Sequence, residues 1–192
     1  MTAKGEPPPT VPAPLYASLF KPGNRWTLSG SWRHEALDEQ GSPVDAVSDF
    51  KGDCTVDRVE RFTWGLVADI SCAGLPGGGS DPLIAGRWVA TRDGLYRAGE
   101  VLDGRMELRP ELLVFASQPA TYERDTPDPH ELGHQSSRAV RESQGEWCFE
   151  EAWVTGDEGW RSVCMTEQAG FTTGQYGWAG GSSDDVTYVA ER

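Results

Sequence analysis

The chain has 192 residues, 38% of them hydrophobic and 10% aromatic, with eight tryptophans, 23 glycines and 13 prolines. It is too apolar to be disordered and long enough to bury one generous core, and its glycine and proline content promises many turns. A formal net charge of −13 with no offsetting basic cluster excludes nucleic-acid binding, and no apolar run approaches the length of a membrane span.

The first residues, "MTAKGEPPPTVPAP", lack the apolar stretch of a signal peptide and read as a Pro-rich spacer, taken here as residues 1–18. "NRWTLSGSWRHEA" (24–36) alternates through Trp26, Leu28 and Trp32 as a first strand should. "GSPVDAVSDFKGD" reads as a link to a hairpin over 54–72, and "CAGLPGGGSDPL" (72–83) as a loop. Residues 86–100 suggest a second hairpin turning at Asp93-Gly94, and 105–117 give one or two strands broken by Pro110. Residues 118–144 are polar and Pro-broken, a long surface excursion. A third hairpin over 148–164, a Gly-rich stretch "AGFTTGQYGWAGGSSDD" and a last strand, "DVTYVAER", complete the chain.

The four cysteines avoid CxxC spacing, so no zinc ribbon or thioredoxin-like centre is indicated. Folding 54–72 about Thr63 sets Cys54 against Cys72 and Val59 against Val67. It also sets Asp57 against Asp69, an unfavourable like-charge pair. Folding 148–164 about Gly156 sets Cys148 against Cys164. Two pairs in cross-strand register predict the disulfides Cys54–Cys72 and Cys148–Cys164, each stabilising by roughly 3 kcal/mol in the chain-entropy model. Such bonds persist in oxidising compartments, so the expected location is periplasmic, outer-membrane-attached or extracellular, with the native signal sequence removed. Each half also carries an Asp-x-x-Tyr-x-Ala strand, Asp93/Tyr96/Ala98 and Asp185/Tyr188/Ala190, which suggests a two-half pseudo-repeat over 24–117 and 145–192.

The predicted fold is all-β and antiparallel: a curved sheet, open barrel or sandwich, with at most a short helix near 129–141 and a single domain over 19–192. In layout, with its Pro-rich start, "FKPGNRWTLSG", Cys-framed strands and Gly-rich end before the last strand, the chain resembles uncharacterised envelope lipoproteins of Gram-negative bacteria. That resemblance covers most of 19–192 and implies an envelope location and a lipidated cysteine ahead of the tether.

"TPDPHELGHQSS" (126–137) resembles the HExxH motif of zinc peptidases, with His130 and His134 as metal ligands and Glu131 as general base. Its surroundings argue against the chemistry. Pro127 and Pro129 forbid a helix upstream, and downstream only Ala139 and Val140 are apolar. The metzincin extension would need Gly and His where Ser137 and Val140 stand. Glu146, Glu150 and Glu151 lie on an expected strand, and His34 is a distant third ligand at best. No catalytic residue, metal ligand or cofactor is therefore favoured.

Most tryptophans suit core or cross-strand packing, but Trp64 in its turn and Trp178 in the Gly-rich stretch could offer a surface to a protein, glycan or lipid partner. The leading expectation is an exported, non-catalytic β domain of the bacterial envelope or cell surface, with a binding or structural role. The alternatives are a small zinc metallopeptidase using His130, Glu131 and His134, and a carrier of an apolar ligand.

Overall fold

The computed structural model describes residues 14–76, 83–98, 113–127, 135–155, 157–180 and 182–192. These form a 3-10 helix, Pro14–Phe20, and twelve strands. In chain order the strands are β1 (Arg25–Leu37), β2 (Pro43–Phe62), β3 (Gly65–Ala73), β4 (Gly86–Ala90), β5 (Gly94–Ala98) and β6 (Leu113–Ala116). The second six are β7 (Tyr122–Pro127), β8 (Gln135–Ser143), β9 (Glu146–Thr155), β10 (Asp157–Thr166), β11 (Gly170–Ala179) and β12 (Ser183–Glu191). All twelve belong to one antiparallel sheet, in the order β6-β5-β4-β3-β2-β1-β12-β11-β10-β9-β8-β7. Two six-stranded meanders thus join where the first strand pairs the last, from Thr27↔Glu191 to Glu35↔Ser183.

This order forces curvature. The two edges, β6 and β7, are neighbours in sequence and only residues 117–121 separate them. A flat sheet of this size would be about 53 Å wide, whereas that connection reaches at most about 20 Å. The sheet therefore curls into an open half-barrel whose wings approach each other without pairing. Side chains close the gap on the concave face. Phe115 of β6 meets Phe149 of β9 at 6.3 Å between ring centroids, and Trp88 of β4 meets Phe171 of β11 at 5.8 Å.

The 3-10 helix plugs this face, burying Tyr16, Leu19 and Phe20. The Tyr16 ring stacks near Phe115, and its hydroxyl donates to the Ala116 carbonyl at 2.6 Å. Residues 14–18, placed with the Pro-rich spacer, therefore belong to the folded body, because Tyr16 is an apolar group that the open sheet needs. The buried indole N–H groups of Trp26 and Trp88 donate to the carbonyls of Ala169 and Ile84, so these large rings enter the core without an orphaned donor.

Several stretches differ from their sequence reading. Residues 43–53, read as a link, are the first half of a 20-residue β2 that pairs β1 from Pro43 to Thr55. The Gly-rich stretch is strand over Gly170–Ala179, because its glycines receive rings: a Cβ at Gly174 would overlap the Tyr188 ring, and one at Gly177 the Trp160 indole. Within the polar excursion 118–144 lie β7 and β8, and from residue 135 onward the segment allowed a short helix is strand. The features suggesting a repeat occupy inequivalent strands, β2–β3 against β9–β10 and β5 against β12.

Both disulfides form, with Cα–Cα separations of 4.1 Å for Cys54–Cys72 and 4.0 Å for Cys148–Cys164. The second hairpin has the expected register about Gly156. The first departs from it beyond the cysteines: a register shift between Val56 and Arg58 pairs Val59 with Ala68 rather than Val67. The same shift sets Arg58, not Asp57, opposite Asp69. A one-residue bulge thereby removes the like-charge pair, and Asp69 takes a bidentate contact from Arg87 on β4.

Candidate binding site

A charged side chain stands in the inward phase of the last strand. In β12 Asp184, Val186, Tyr188 and Ala190 alternate inward and are all buried. In β1, Trp32 and His34 continue the inward phase of Trp26 and Leu28. Register places His34 directly across from Asp184 on one side, and Trp178 of β11 directly across on the other.

Asp184 is only 6% exposed, and a carboxylate there would be costly without partners. Three N–H groups converge on it. Trp32 Nε1 and His34 Nδ1 donate to one oxygen at 2.8 and 2.9 Å, and Trp178 Nε1 donates to the other at 2.9 Å. Burial alone would raise the Asp184 pKa; the three donors, with the charge of His34, outweigh it and hold the carboxyl below its ordinary range. Because the carboxylate only accepts, His34 must carry hydrogen on Nδ1, which turns Nε2 away from Asp184. Nearby Tyr176, pushed up to about 12 by burial and then by the Asp184 charge, donates its hydroxyl to the Pro76 carbonyl at 2.8 Å.

The row continues across the C-terminal wing. Trp178 faces Gly159 of β10, and Gly159 faces Trp153 of β9. A Cβ at 159 would overlap the Trp153 ring, so glycine is what lets that indole lie on the sheet. The Arg161 guanidinium sits over Trp153, 5.4 Å from the ring centroid. One step further along the strands, Arg161, Glu151 and Arg138 share a second row. Glu151, 7% exposed, accepts from Arg138 Nε at 2.7 Å and from Arg161 Nε at 2.8 Å. The concave face at this end therefore carries indoles of fixed orientation, one imidazole and a carboxylate paired with two guanidinium groups. That arrangement can stack on and hydrogen-bond a ligand. Among the described residues no hydroxyl or thiol is hydrogen-bonded to His34.

Of the residues singled out from sequence, Trp178 belongs to this site and Trp64 does not. Trp64 stacks on Phe62, with ring centroids 4.9 Å apart, in a separate cluster with Val67, Val89 and Tyr96 on the other face. His130, Glu131 and His134 lie outside the described residues. Their flanks are paired strands, with Pro127 opposite Gln135, so β8 starts where a peptidase helix would have to continue. Glu146 lies close to Cys148 and Cys164, but both sulfurs are committed to a disulfide and are not thiolate ligands. His34, considered above only as a remote ligand, and Trp32, Trp153 and Asp184 were not foreseen as a site. The available signal was a charge in the apolar phase of "SDDVTYVAE".

The fold and site define the class: an all-β, twelve-stranded antiparallel half-barrel with two cross-strand disulfides. No family model matches the chain, and no curated protein and no solved structure matches it. Among the described residues no helix is long and apolar enough to cross a membrane.

Proposed function

We propose that this chain is an exported, non-catalytic β domain of the bacterial envelope or cell surface, and that it binds a partner through the open end of its concave face. The observation that carries the binding role is the Asp184 carboxylate, which spends three hydrogen bonds on fixing Trp32, His34 and Trp178. A core needs no such arrangement, because apolar residues of similar size would pack there at lower cost. Export is supported by the two disulfides, which bond all four cysteines. A glycan, protein or lipid headgroup each suits a surface of locked indoles and polar tips.

Two measurements test the proposal. Thiol alkylation in intact cells, before any lysis, should leave all four cysteines unlabelled until reductant is added; labelling without reductant would overturn export. Tryptophan fluorescence should be titrated with soluble peptidoglycan fragments and with vesicles of phosphatidylethanolamine and phosphatidylglycerol. A saturable change with either probe, weakened in Trp178→Ala, supports the site. No change, or one that Trp178→Ala leaves intact, removes it.

The other readings receive less support. A carrier of an apolar ligand needs an empty concave face, and side chains fill this one where Trp88, Phe115, Phe149 and Phe171 meet. For the peptidase reading, near-stoichiometric zinc in untagged protein, lost in His130→Ala, would replace the binding proposal with the catalytic one.

A further inference from the structure

Among the described residues, the longest strand has no neighbour along half of its outer side. β2 pairs β1 from Pro43 to Thr55, but β3 covers it only from Asp53 onward. Residues 43–52 therefore form a ledge about 30 Å long, open on one side among the described residues. Every residue from 43 to 49 is exposed. Of the large exposed hydrophobic side chains among the described residues, Leu37, Val44 and Val47 cluster on this arm, at 65%, 44% and 67% exposure.

The direction of the backbone groups follows from the register. Val56 donates to Asn24 and accepts from Gly23, so even-numbered residues of this stretch turn their N–H and C=O groups toward β1. The odd-numbered residues face away: a Cβ on Gly74, beyond the end of β3, would press on the Lys51 carbonyl. The N–H groups of Asp45, Val47 and Asp49 thus point out from the ledge. Unblocked edges of this kind accept an added strand.

Side-chain phase states what that strand must carry. Val44, Ala46 and Phe50 share one face of the ledge; Asp45, Val47 and Asp49 share the other. Asp45 is held by Arg33, while Asp49 lies on the ledge's outward-phase face with Lys51, on a hairpin whose end also bears Glu35, Asp38 and Glu39. A second copy fits poorly. Two-fold pairing about Val47 would set Asp45 against Asp49 twice, and each copy carries a net charge of −13. We propose that the 43–52 edge of β2 docks an extended segment of a partner protein in which apolar and basic residues alternate, joining the sheet by strand addition.

Val47→Pro tests this cleanly. It deletes an N–H that faces the ledge while leaving the β1–β2 ladder intact. The probe is an acetylated, amidated peptide alternating lysine with valine over roughly seven residues, with binding to the full chain followed by fluorescence anisotropy. Wild-type protein should bind, and Val47→Pro should weaken binding by about tenfold or more. Asp49→Lys, which leaves the backbone untouched, should also weaken it and serves if the proline variant does not fold. No binding to wild type, or equal binding to wild type and both variants, would overturn the proposal. So would a wild-type dimer in sedimentation velocity that Val47→Pro converts to monomer, because the edge would then belong to a second copy.

Discussion

Replacing Asp184 with asparagine changes one atom's chemistry and leaves the volume almost unchanged. The asparagine oxygen can still accept from Trp32 and His34, but its amide then points hydrogens at the Trp178 N–H. One charge-assisted bond is lost, worth about 1.5–3 kcal/mol, and a partly buried donor is left facing another donor. Because Trp178 and His34 are partly exposed, water recovers some of this. The expected cost of Asp184→Asn at pH 7 is roughly 2–3 kcal/mol, about 4–10 °C in melting temperature for a domain of this size. The effect must also depend on pH. The Asp184 pKa is lower in the folded chain than in the unfolded one. Ionised Asp184 therefore contributes its full stability above about pH 4, and this is lost as pH falls through the folded-state value. Urea denaturation of both proteins at pH 7, and again well below pH 3, should show a large gap that narrows in acid. A variant within 0.5 kcal/mol of wild type at pH 7, or a gap that persists unchanged in acid, would refute the account of the site.

The remaining predictions address other parts of the sheet. Glu151→Gln leaves Arg138 and Arg161 facing each other across a half-buried row and should cost roughly 2–3 kcal/mol in denaturant titration, whereas a surface pair such as Arg141–Glu150 should cost under about 1. A Cβ on Gly30 would overlap the Thr187 carbonyl in the β1–β12 junction, so Gly30→Ala should lose about 3 kcal/mol or more, or not fold. At Gly41, with φ of 77° and open space around it, alanine should cost only about 1 kcal/mol. Removing either disulfide costs a similar loop term, since the spacings are 18 and 16 residues. Cys54 is also fully buried in the core cluster, so Cys54→Ala/Cys72→Ala should melt below Cys148→Ala/Cys164→Ala.

What sequence made legible was what depends on near neighbours. Paired residues of a hairpin have a constant index sum, so two cysteine pairs sufficed to place β2 against β3 and β9 against β10. The bulge at Asp57 escaped this arithmetic, though its cause was visible as the Asp57/Asp69 clash it relieves. Local composition misled at two places, for opposite physical reasons. Glycines 174 and 177 looked like loop residues because the rings of Tyr188 and Trp160 that lie over them come from neighbouring strands. "SPVDAVSDF" looked like a linker because both faces of this stretch stay solvated, so no apolar run marks it.

The candidate site was out of reach for a deeper reason. Trp178 and Asp184 meet across the β11–β12 hairpin, but residues 32–34 reach them only through the pairing of the first strand with the last. That pairing is also what allows β1 and β2 to outrun the rest of the sheet. β12 supports β1 only as far as Glu35, and β3 leaves β2 at Asp53, so the arm projects past both supports. Its tip carries no buried side chain between Leu37 and Asp49, and nothing in packing holds it at that length. A hairpin with little buried apolar area is marginal on its own. Shortening the arm by deleting Leu37–Pro43 and joining the paired Ala36 and Val44 with Asn-Gly should therefore leave thermal stability within about 1 kcal/mol of wild type, since the deleted residues bury almost nothing. If that deletion instead unfolds the chain, the arm is a structural brace and the docking role assigned to its edge loses its rationale. If stability holds and the lysine–valine peptide still binds, the outward N–H groups of Asp45, Val47 and Asp49, which the deletion spares, carry the docking without the arm's tip.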